Sequence, residues 1–251
     1  MKLTDKDKTK LVSDYRKSKQ RLILLDYDGT LTPFFDRPEE AKPGADVLKL
    51  LETLAMEPGN EVVLVSGRDR DTMEKWFSMN MSYAAEHGAW IKEKGKEWET
   101  ITPVNNDWKE NIRPILELYV DGIPGSFIEE KEFSIAWHYR KADLGAGLEG
   151  ARELADNLAA AGPDLHVLEE NKVVEVVSAG INKGMVASYW IAKKEWDFVL
   201  AMGDDQTDEE VFDVLPKTAY SIKVGPGPSQ ARFNLGSPLS VLSLLKELVE
   251  D

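Results

Sequence analysis

Two aspartates, Asp26 and Asp28, follow directly on a run of bulky apolar residues from Leu22 to Leu25. A short apolar run bounded by turn residues is typical of a buried strand, so both carboxylates are expected at the carboxyl edge of a sheet. There Asp26 can attack phosphorus as a nucleophile, and Asp28 can carry protons to the leaving group and from water. Gly29 suits the strained turn that follows. An acidic turn without function is the alternative, and further segments have to decide between the two.

A second pair of segments offers groups that bind phosphate. Ser66 and Gly67 follow the apolar stretch 61–65, a second predicted strand, and present a hydroxyl and backbone N–H groups. Lys183 lies just before a predicted helix and would place a positive charge beside the phosphate and Asp26. Taken singly, Ser66 could be a helix N-cap and Lys183 a solvated side chain. Together with the aspartates they match the needs of phosphoryl transfer.

An acidic run after the predicted strand 197–202 supplies candidate metal ligands. Asp204 and Asp205 open this run, and Thr207 and Glu210 have the spacing of a capping box, which would explain its second half. Carboxylates close to a phosphate need a cation, and Mg²⁺ prefers a few carboxylates with waters and phosphate oxygens. The predicted magnesium ligands are Asp26, Asp28, Asp204 and Asp205, with Asp208 as the alternative to Asp205.

Composition narrows the class of protein. The chain has 251 residues, 42% of them hydrophobic and 30% charged, which suits a folded protein with a sizeable core. A formal net charge of −14 disfavours nucleic acid as a partner. No apolar run approaches the roughly 20 residues that span a bilayer, and Met1 to Lys10 lacks the apolar stretch of a signal peptide. Without cysteine, the default expectation is a cytoplasmic enzyme with no membrane partner.

Alternating strands and helices predict an α/β fold with a doubly wound parallel, Rossmann-like core sheet. We assign residues 1–104 and 181–251 to this core. Residues 105–180 interrupt it and form an inserted α+β cap domain with a β-α-β-β-α-β-β-like pattern. Within the insert, 133–140 alternates strictly, so Phe133, Ile135, Trp137 and Tyr139 face a core and Ser134, Ala136, His138 and Arg140 face the other way. The other predicted helices and strands are helices 44–56, 69–77, 108–119, 147–161, 184–194 and 240–249, and strands 83–85, 165–168, 172–177 and 220–224.

The motif Asp26-x-Asp28-Gly-Thr-Leu-Thr, with Ser66, Lys183 and Gly203-Asp204-Asp205, resembles the haloacid dehalogenase-like phosphohydrolases. Among these phosphohydrolases, the chain is similar to the trehalose-6-phosphate phosphatase family. The segments that carry this second resemblance extend over nearly the whole chain: 26–33, 85–89, 129–131 with Ser134, 138–140, 182–184 and 203–209. One position departs from it, since family members commonly have Arg-Pro where this chain has Val177-Ser178.

The resemblance implies a Mg²⁺-dependent sugar-phosphate phosphatase that forms an aspartyl-phosphate and acts on trehalose 6-phosphate. It implies that a Glu-x-Lys pair, here Glu129 and Lys131, grips the sugar, and that Glu175 binds sugar hydroxyls. His138 and Arg140, and His87 from the core, are expected to line the mouth of the site. The cap is expected to close over the substrate on hinges near 105 and 180.

Other functions remain open at this level. The same site could serve a sucrose, mannosylglycerate or glucosylglycerate phosphate, or a phosphosugar mutase. A non-catalytic sugar-phosphate sensor is a further alternative, although such domains usually lose the nucleophile or a metal carboxylate. The sequence leaves the oligomeric state open, a monomer included, as well as the role of the basic segment 1–21.

Overall fold

The structure is a computed structural model that describes residues 1–101, 106–159 and 165–249. The chain divides into two compact units, one made of Met1–Glu99 and Lys183–Asp251 and the other of Thr100–Asn182. The predicted boundary between 104 and 105, with its hinge, lies outside the described residues. The second boundary lies between Asn182 and Lys183, two residues after the predicted one.

The first unit is built on an eight-stranded sheet. Its strands are β1 (Arg21–Asp26), β2 (Asn60–Val65), β3 (Ser82–Ala85), β4 (Trp90–Lys92), β5 (Trp98–Thr100), β10 (Phe198–Gly203), β11 (Tyr220–Val224) and β12 (Phe233–Leu235). The strand order in the sheet is β12-β11-β10-β1-β2-β3-β4-β5. The strands from β12 through to β3 run parallel, and β4 pairs antiparallel with β3.

The helices of this unit pack on the sheet and leave its carboxyl edge to loops. They are α1 (Asp5–Lys17), α2 (Ala45–Met56), α3 (Arg70–Trp76), α6 (Lys183–Ile191), α7 (Thr207–Val214) and α8 (Pro238–Val249). Ile23 and Leu25 of β1 join a core cluster with Leu51 of α2 and Leu245 of α8. Leu22 and Leu24 point to the opposite face and are buried as well. Since β1 is buried on both faces, its last residue, Asp26, is placed rigidly at the sheet edge.

The second unit is a four-stranded antiparallel sheet with two helices. Its elements are α4 (Lys109–Gly122), β6 (Phe127–Glu130), β7 (Ser134–His138), α5 (Leu144–Ala159), β8 (Leu165–Glu170) and β9 (Val173–Ser178). The strand order is β6-β7-β9-β8. Ile135 and Trp137 pack with Leu116 of α4 and Leu154 of α5, so both helices cover one face of this sheet. The predicted α/β class with an inserted α+β unit is confirmed.

Several predicted elements differ in detail. Strands β4, β5 and β12 were not predicted, because three residues are too few to show a periodicity. Helix α5 begins three residues before the predicted position, since the Asp143 carboxylate accepts the N–H groups of Gly145 and Ala146 and caps it there. The predicted end of this helix at 162–163 lies outside the described residues. Among the described residues of the insert, no strand precedes α4, contrary to the predicted pattern.

Every helix in the described part of the chain is too short or too polar to cross a lipid bilayer.

Candidate active site

The end of β1 and the start of α6 bring a buried carboxylate and a buried ammonium group together. The Nζ atom of Lys183, on a residue that is 1% exposed, donates to Oδ1 of Asp26 at 2.9 Å. The same Nζ atom donates to Oδ1 of Asp208 at 3.0 Å. Lys183 and Asp26 are 157 positions apart in sequence, so it is the parallel sheet that places them side by side. Both residues were predicted at the carboxyl edge of this sheet, where residues distant in sequence meet.

The acidic loop after β10 is organised by Asp208. Its Oδ2 atom accepts the backbone N–H groups of Asp204 and Asp205, at 2.8 and 3.1 Å. Asp205 in turn accepts the hydroxyl of Thr207 and the backbone N–H of Asp208. The capping box predicted for Thr207 and Glu210 is wrong, because Thr207 is the first residue of the following helix and not its N-cap. Asp205 and Asp208 hold the loop instead, because their carboxylates accept three of its backbone N–H groups.

The loop after β1 lies directly against Asp204. Gly29 has a φ of +86°, and a Cβ atom at this position would lie 2.2 Å from Oδ2 of Asp204. No side chain fits there, which explains the glycine at this position. The hydroxyl of Thr30 donates to Oδ1 of Asp204 at 3.1 Å. Behind the loop, the buried Lys223 ammonium donates to the Asp204 carbonyl oxygen. The two strand ends are thus locked to each other.

Carboxylate oxygens of Asp26, Asp204 and Asp208 all lie within 4.8 Å of one another. The Oδ2 atom of Asp26 is buried and accepts no hydrogen bond from a described residue. Clustered carboxylate oxygens and a buried acceptor without a donor suit a hard divalent cation, which takes oxygen ligands. The residues present therefore fit a metal ion. Asp28 and Asp205, the other predicted ligands, lie outside this cluster, and their role as ligands stays a prediction.

Crowding of negative charge changes the acidity of this cluster. Burial raises the pKa of Asp26 well above its usual range, and the neighbouring Asp204 adds to this although Lys183 opposes it. Burial also raises the pKa of Asp208, again against Lys183. For Asp204, burial and the charges of Asp205 and Asp208 raise the pKa to about 7. Burial acts to raise the pKa of Asp205 too, but Lys183 and the Thr207 hydroxyl hold it at about 2. A single lysine does not neutralise four carboxylates, so the cluster has room for added positive charge.

Asp28 is held by an arginine. The guanidinium of Arg68 donates through Nε and Nη2 to the two oxygens of Asp28, at 2.8 and 2.7 Å. Arg68 itself donates to the Pro38 carbonyl oxygen and stacks over Trp76, with 4.6 Å between the guanidinium carbon and the ring centre. A bidentate pair of this kind fixes the plane of the carboxylate as well as its position. The predicted proton carrier is therefore oriented by the residue that follows Ser66-Gly67.

The predicted phosphate-binding loop leaves β2 at Ser66. The Ser66 hydroxyl accepts the backbone N–H of Arg68 at 3.2 Å, and helix α3 is capped by Asp69 instead. Ser66 is thus not the N-cap that its position allowed. A Cβ atom on Gly67 would lie 2.6 Å from the ring of His87, so this glycine allows close packing. His87 is 1% exposed, and its ring packs against Gly67.

The predicted sugar-binding residues of the insert share one face of its sheet. Glu129 lies opposite Ala136, which lies opposite Glu175, so both glutamates flank a small residue on the central strand. His138 Nε2 is 2.8 Å from Oε2 of Glu129. Lys131 follows the end of β6, and its Nζ donates to Glu175 at 2.8 Å in a buried pair.

Arg140 lies beyond β7 and donates to the Asn171 carbonyl oxygen at 2.5 Å.

Two residues of the site, Arg68 and Lys223, were not singled out from the sequence, and Asp208 was predicted only as a metal ligand and not as a partner of Lys183. Arg68 directly follows Ser66-Gly67, and a positive charge next to a predicted phosphate-binding loop is a signal that could have found it. Lys223 lies within the strand β11, where a buried lysine is rare, and only its partner reveals its role.

Asp204→Asn is expected to stabilise the metal-free protein at pH 8 and to leave it nearly unchanged at pH 4. The native pKa of about 7 exceeds the usual 3.8, so the folded state holds this proton more tightly than the unfolded state. Stability contributed by the protonated group is therefore present below pH 4 and is lost as pH rises through 7. Urea unfolding of both proteins in a chelator, at the two pH values, measures the difference.

Asp197→Asn is the matched control with the opposite sign. Backbone N–H groups of Gln20 and Lys19 lower the pKa of Asp197, so its charge stabilises the fold at pH 8 and its loss should destabilise the protein there. If Asp204→Asn is no more stable than the wild type at pH 8, this contradicts the inference that crowded negative charge destabilises the metal-free protein.

Comparison with known families agrees with this geometry. A family model described as trehalose-phosphatase matches residues 24–238. The chain is 45% identical, over 95% of its length, to a bifunctional trehalose-6-phosphate synthase/phosphatase of Thermoproteus tenax, and covers 33% of that protein. It is 36% identical, again over 95% of its length, to a probable alpha,alpha-trehalose-phosphate synthase (UDP-forming) 11 of Arabidopsis thaliana, and covers 30% of it. The chain thus spans about a third of the length of these relatives.

A solved structure extends the likeness over the whole fold. The C-terminal domain of the trehalose-6-phosphate phosphatase of C. albicans superposes with a TM-score of 0.92 at 31% identity, and the match covers 97% of each chain. The family match includes the strand ends that carry Asp26, Ser66 and Asp204, together with Lys183. The predicted resemblance is confirmed, and the chain belongs to the trehalose-phosphatase family.

Proposed function

We propose that this chain is a metal-dependent phosphatase that hydrolyses trehalose 6-phosphate to trehalose and phosphate. The observation that carries the proposal is the buried contact of Lys183 with Asp26 beside the carboxylates of Asp204 and Asp208. A nucleophile, a cation and ligands for a divalent metal are the groups that phosphoryl transfer requires. Membership of the trehalose-phosphatase family supports the choice of substrate.

The reaction proceeds in two displacements at phosphorus. A carboxylate oxygen of Asp26 attacks the phosphoryl group, the bond from phosphorus to the sugar oxygen breaks, and Asp28 gives its proton to that oxygen. Water then attacks the aspartyl-phosphate, Asp28 takes the proton, and the bond from phosphorus to Asp26 breaks. Lys183 keeps Asp26 oriented and balances charge on the phosphoryl oxygens, while Arg68 holds Asp28 ready.

A magnesium ion is the cofactor we propose. Asp26, Asp204 and Asp208 are the residues that would hold it, and Asp28 and Asp205 remain candidates from the sequence. Bound there, the ion supplies positive charge that screens the phosphate from the aspartates. Ser66 and Gly67 would bind a phosphoryl oxygen through hydroxyl and N–H groups.

Recognition of the sugar is assigned to the second unit. Glu129, Lys131, His138 and Glu175 form two polar pairs on one face of its sheet. These charged groups are suited to sugar hydroxyls, because charge-assisted hydrogen bonds are stronger than neutral ones. Arg140 is a further candidate. A cytoplasmic location remains a prediction from the sequence, which leaves the oligomeric state open.

Phosphate release with Mg²⁺ across a panel of substrates tests the function. The panel contains trehalose 6-phosphate, sucrose 6-phosphate, mannosyl- and glucosyl-phosphoglycerates, glucose 6-phosphate and p-nitrophenyl phosphate. We expect a strong preference for trehalose 6-phosphate that chelation abolishes. Preference for another sugar phosphate would contradict the substrate and keep the chemistry. Isomerised product with little free phosphate would identify a mutase. Binding of a sugar phosphate without any turnover would identify a sensor.

Glu129→Gln is expected to raise KM for trehalose 6-phosphate about tenfold, which corresponds to one charge-assisted hydrogen bond of about 1.4 kcal/mol. The rate with p-nitrophenyl phosphate, which has no sugar, should not change. Glu117→Gln on the exposed surface of α4 is the matched control and should alter neither value. An equal effect of Glu129→Gln on both substrates would contradict the assignment of this face to the sugar.

A further inference from the structure

Three successive residues after β3 have positive φ angles. The values are 48° for Glu86, 57° for His87 and 106° for Gly88. Residues other than glycine rarely adopt this left-handed conformation, and they keep it only where their surroundings enforce it. Glu86 and His87 are 2% and 1% exposed, so the strained segment lies in the interior.

The segment is bonded to the loop that follows β2. The backbone N–H of Glu86 donates to the Arg68 carbonyl oxygen at 2.9 Å, and that of His87 donates to the Ser66 carbonyl oxygen at 3.1 Å. Just before the segment, the Ala84 carbonyl oxygen accepts the N–H of Ser66 at 2.9 Å. Ser66 and Arg68, on either side of Gly67, are therefore both bonded to the segment 84–87. The left-handed turn aligns the N–H groups of Glu86 and His87 with the carbonyl groups of Arg68 and Ser66.

The imidazole of His87 lies against Gly67 itself. A Cβ atom on Gly67 would be 2.6 Å from both Cε1 and Nε2 of the ring, a distance at which one of them must move. The φ of Gly67 is outside the left-handed region, so its backbone conformation would accept alanine. The ring of His87, and not the backbone, is therefore what requires glycine at position 67.

We propose that His87 is a positioning residue, which fixes the Ser66–Arg68 loop by packing its ring on Gly67. The loop presents the proposed phosphate-binding groups and carries Arg68, the partner of Asp28. His87 thus acts on phosphate through this loop, in place of the role at the mouth expected from the sequence. The proposal deepens the proposed function and rests on it for the identity of the ligand.

Binding of inorganic phosphate to the Mg²⁺-loaded protein, measured by calorimetry, tests the proposal without turnover. His87→Asn keeps a residue type that tolerates the left-handed backbone and removes the ring. We expect it to weaken phosphate binding at least fivefold and to raise KM equally for trehalose 6-phosphate and p-nitrophenyl phosphate, with a smaller change in kcat. Lys172→Asn, at a left-handed position in the turn between β8 and β9, is the matched control and should change none of these.

The double variant Gly67→Ala/His87→Asn provides the sharper test. Gly67→Ala alone should weaken phosphate binding at least tenfold, because its methyl group meets the ring. In the His87→Asn background, Gly67→Ala should weaken phosphate binding threefold or less, since the ring is gone. Thermal unfolding confirms that each variant is folded.

Additive effects in the double variant, or unchanged phosphate binding by His87→Asn, would overturn the proposal. An effect of His87→Asn on trehalose 6-phosphate alone would do so too and would return His87 to sugar recognition. A wild-type protein that binds phosphate but hydrolyses no substrate would contradict the proposed function, while the coupling of His87 to Gly67 would remain measurable.

Discussion

Asp26→Asn is expected to lower kcat for trehalose 6-phosphate by on the order of 10³-fold or more, which is about 4 kcal/mol of barrier. The amide cannot form the acyl phosphate, and no other described carboxylate both contacts Lys183 and has a free buried oxygen. Substrate binding should persist, because the phosphate-binding groups are untouched. Steady-state phosphate release and calorimetric titration with substrate separate the two effects.

The fold should survive this substitution. Burial, with Asp204 and Asp205 adding to it, raises the pKa of Asp26, so its charge costs stability at neutral pH and an uncharged isostere should be at least as stable. Lys183 keeps Asp208 as a partner. Retained activity in a folded Asp26→Asn protein would contradict the assignment of the nucleophile. A variant that fails to fold would contradict the account of its buried charge.

Lys183→Met has the second largest expected effect, since it removes the cation that faces three carboxylates. We expect kcat to fall by about 10³-fold, the upper range for losing one preorganised charge contact. At neutral pH in a chelator the protein should lose about 3–5 kcal/mol of stability, as is typical when one partner of a buried ion pair is removed. The loss should shrink at low pH, where the carboxylates protonate.

Lys193→Met is the matched control for this variant. Lys193 pairs with Glu93 at 2.9 Å on the surface, with 31% of its side chain exposed. A surface pair contributes about 0–1 kcal/mol, so this change should leave stability and kcat almost intact. Equal losses in the two variants, or a loss for Lys183→Met that does not depend on pH, would contradict the proposed role of Lys183 among the aspartates.

The fold and much of the site follow from local patterns in the sequence. The run Leu22 to Leu25 predicts β1, and the order of strands and helices predicts that Asp26, Ser66 and Asp204 share one sheet edge. Lys183 could be placed near Asp26 for the same reason, since parallel strands end on one side. Such predictions succeed because they depend only on periodicity and on chain order.

Contacts between side chains could not be read from these patterns. The pair of Arg68 with Asp28 joins residues 40 positions apart and depends on the rotamers of both. Asp208 was predicted only as the alternative to Asp205 among the magnesium ligands, yet its carboxylate also bonds to the loop backbone and to Lys183. His87 was expected to line the mouth of the site, and no sequence pattern reveals its left-handed backbone or its burial.

Transfer of the phosphoryl group to Asp26 is the central claim, and chemical trapping measures it directly. The enzyme is mixed with Mg²⁺ and trehalose 6-phosphate, quenched in acid during turnover and reduced with borohydride, which converts an aspartyl-phosphate to homoserine. Peptide mass spectrometry should find homoserine at position 26 in the wild type, and none in Asp26→Asn or in the presence of a chelator. Turnover without homoserine at position 26, or with homoserine at position 28, would contradict the account.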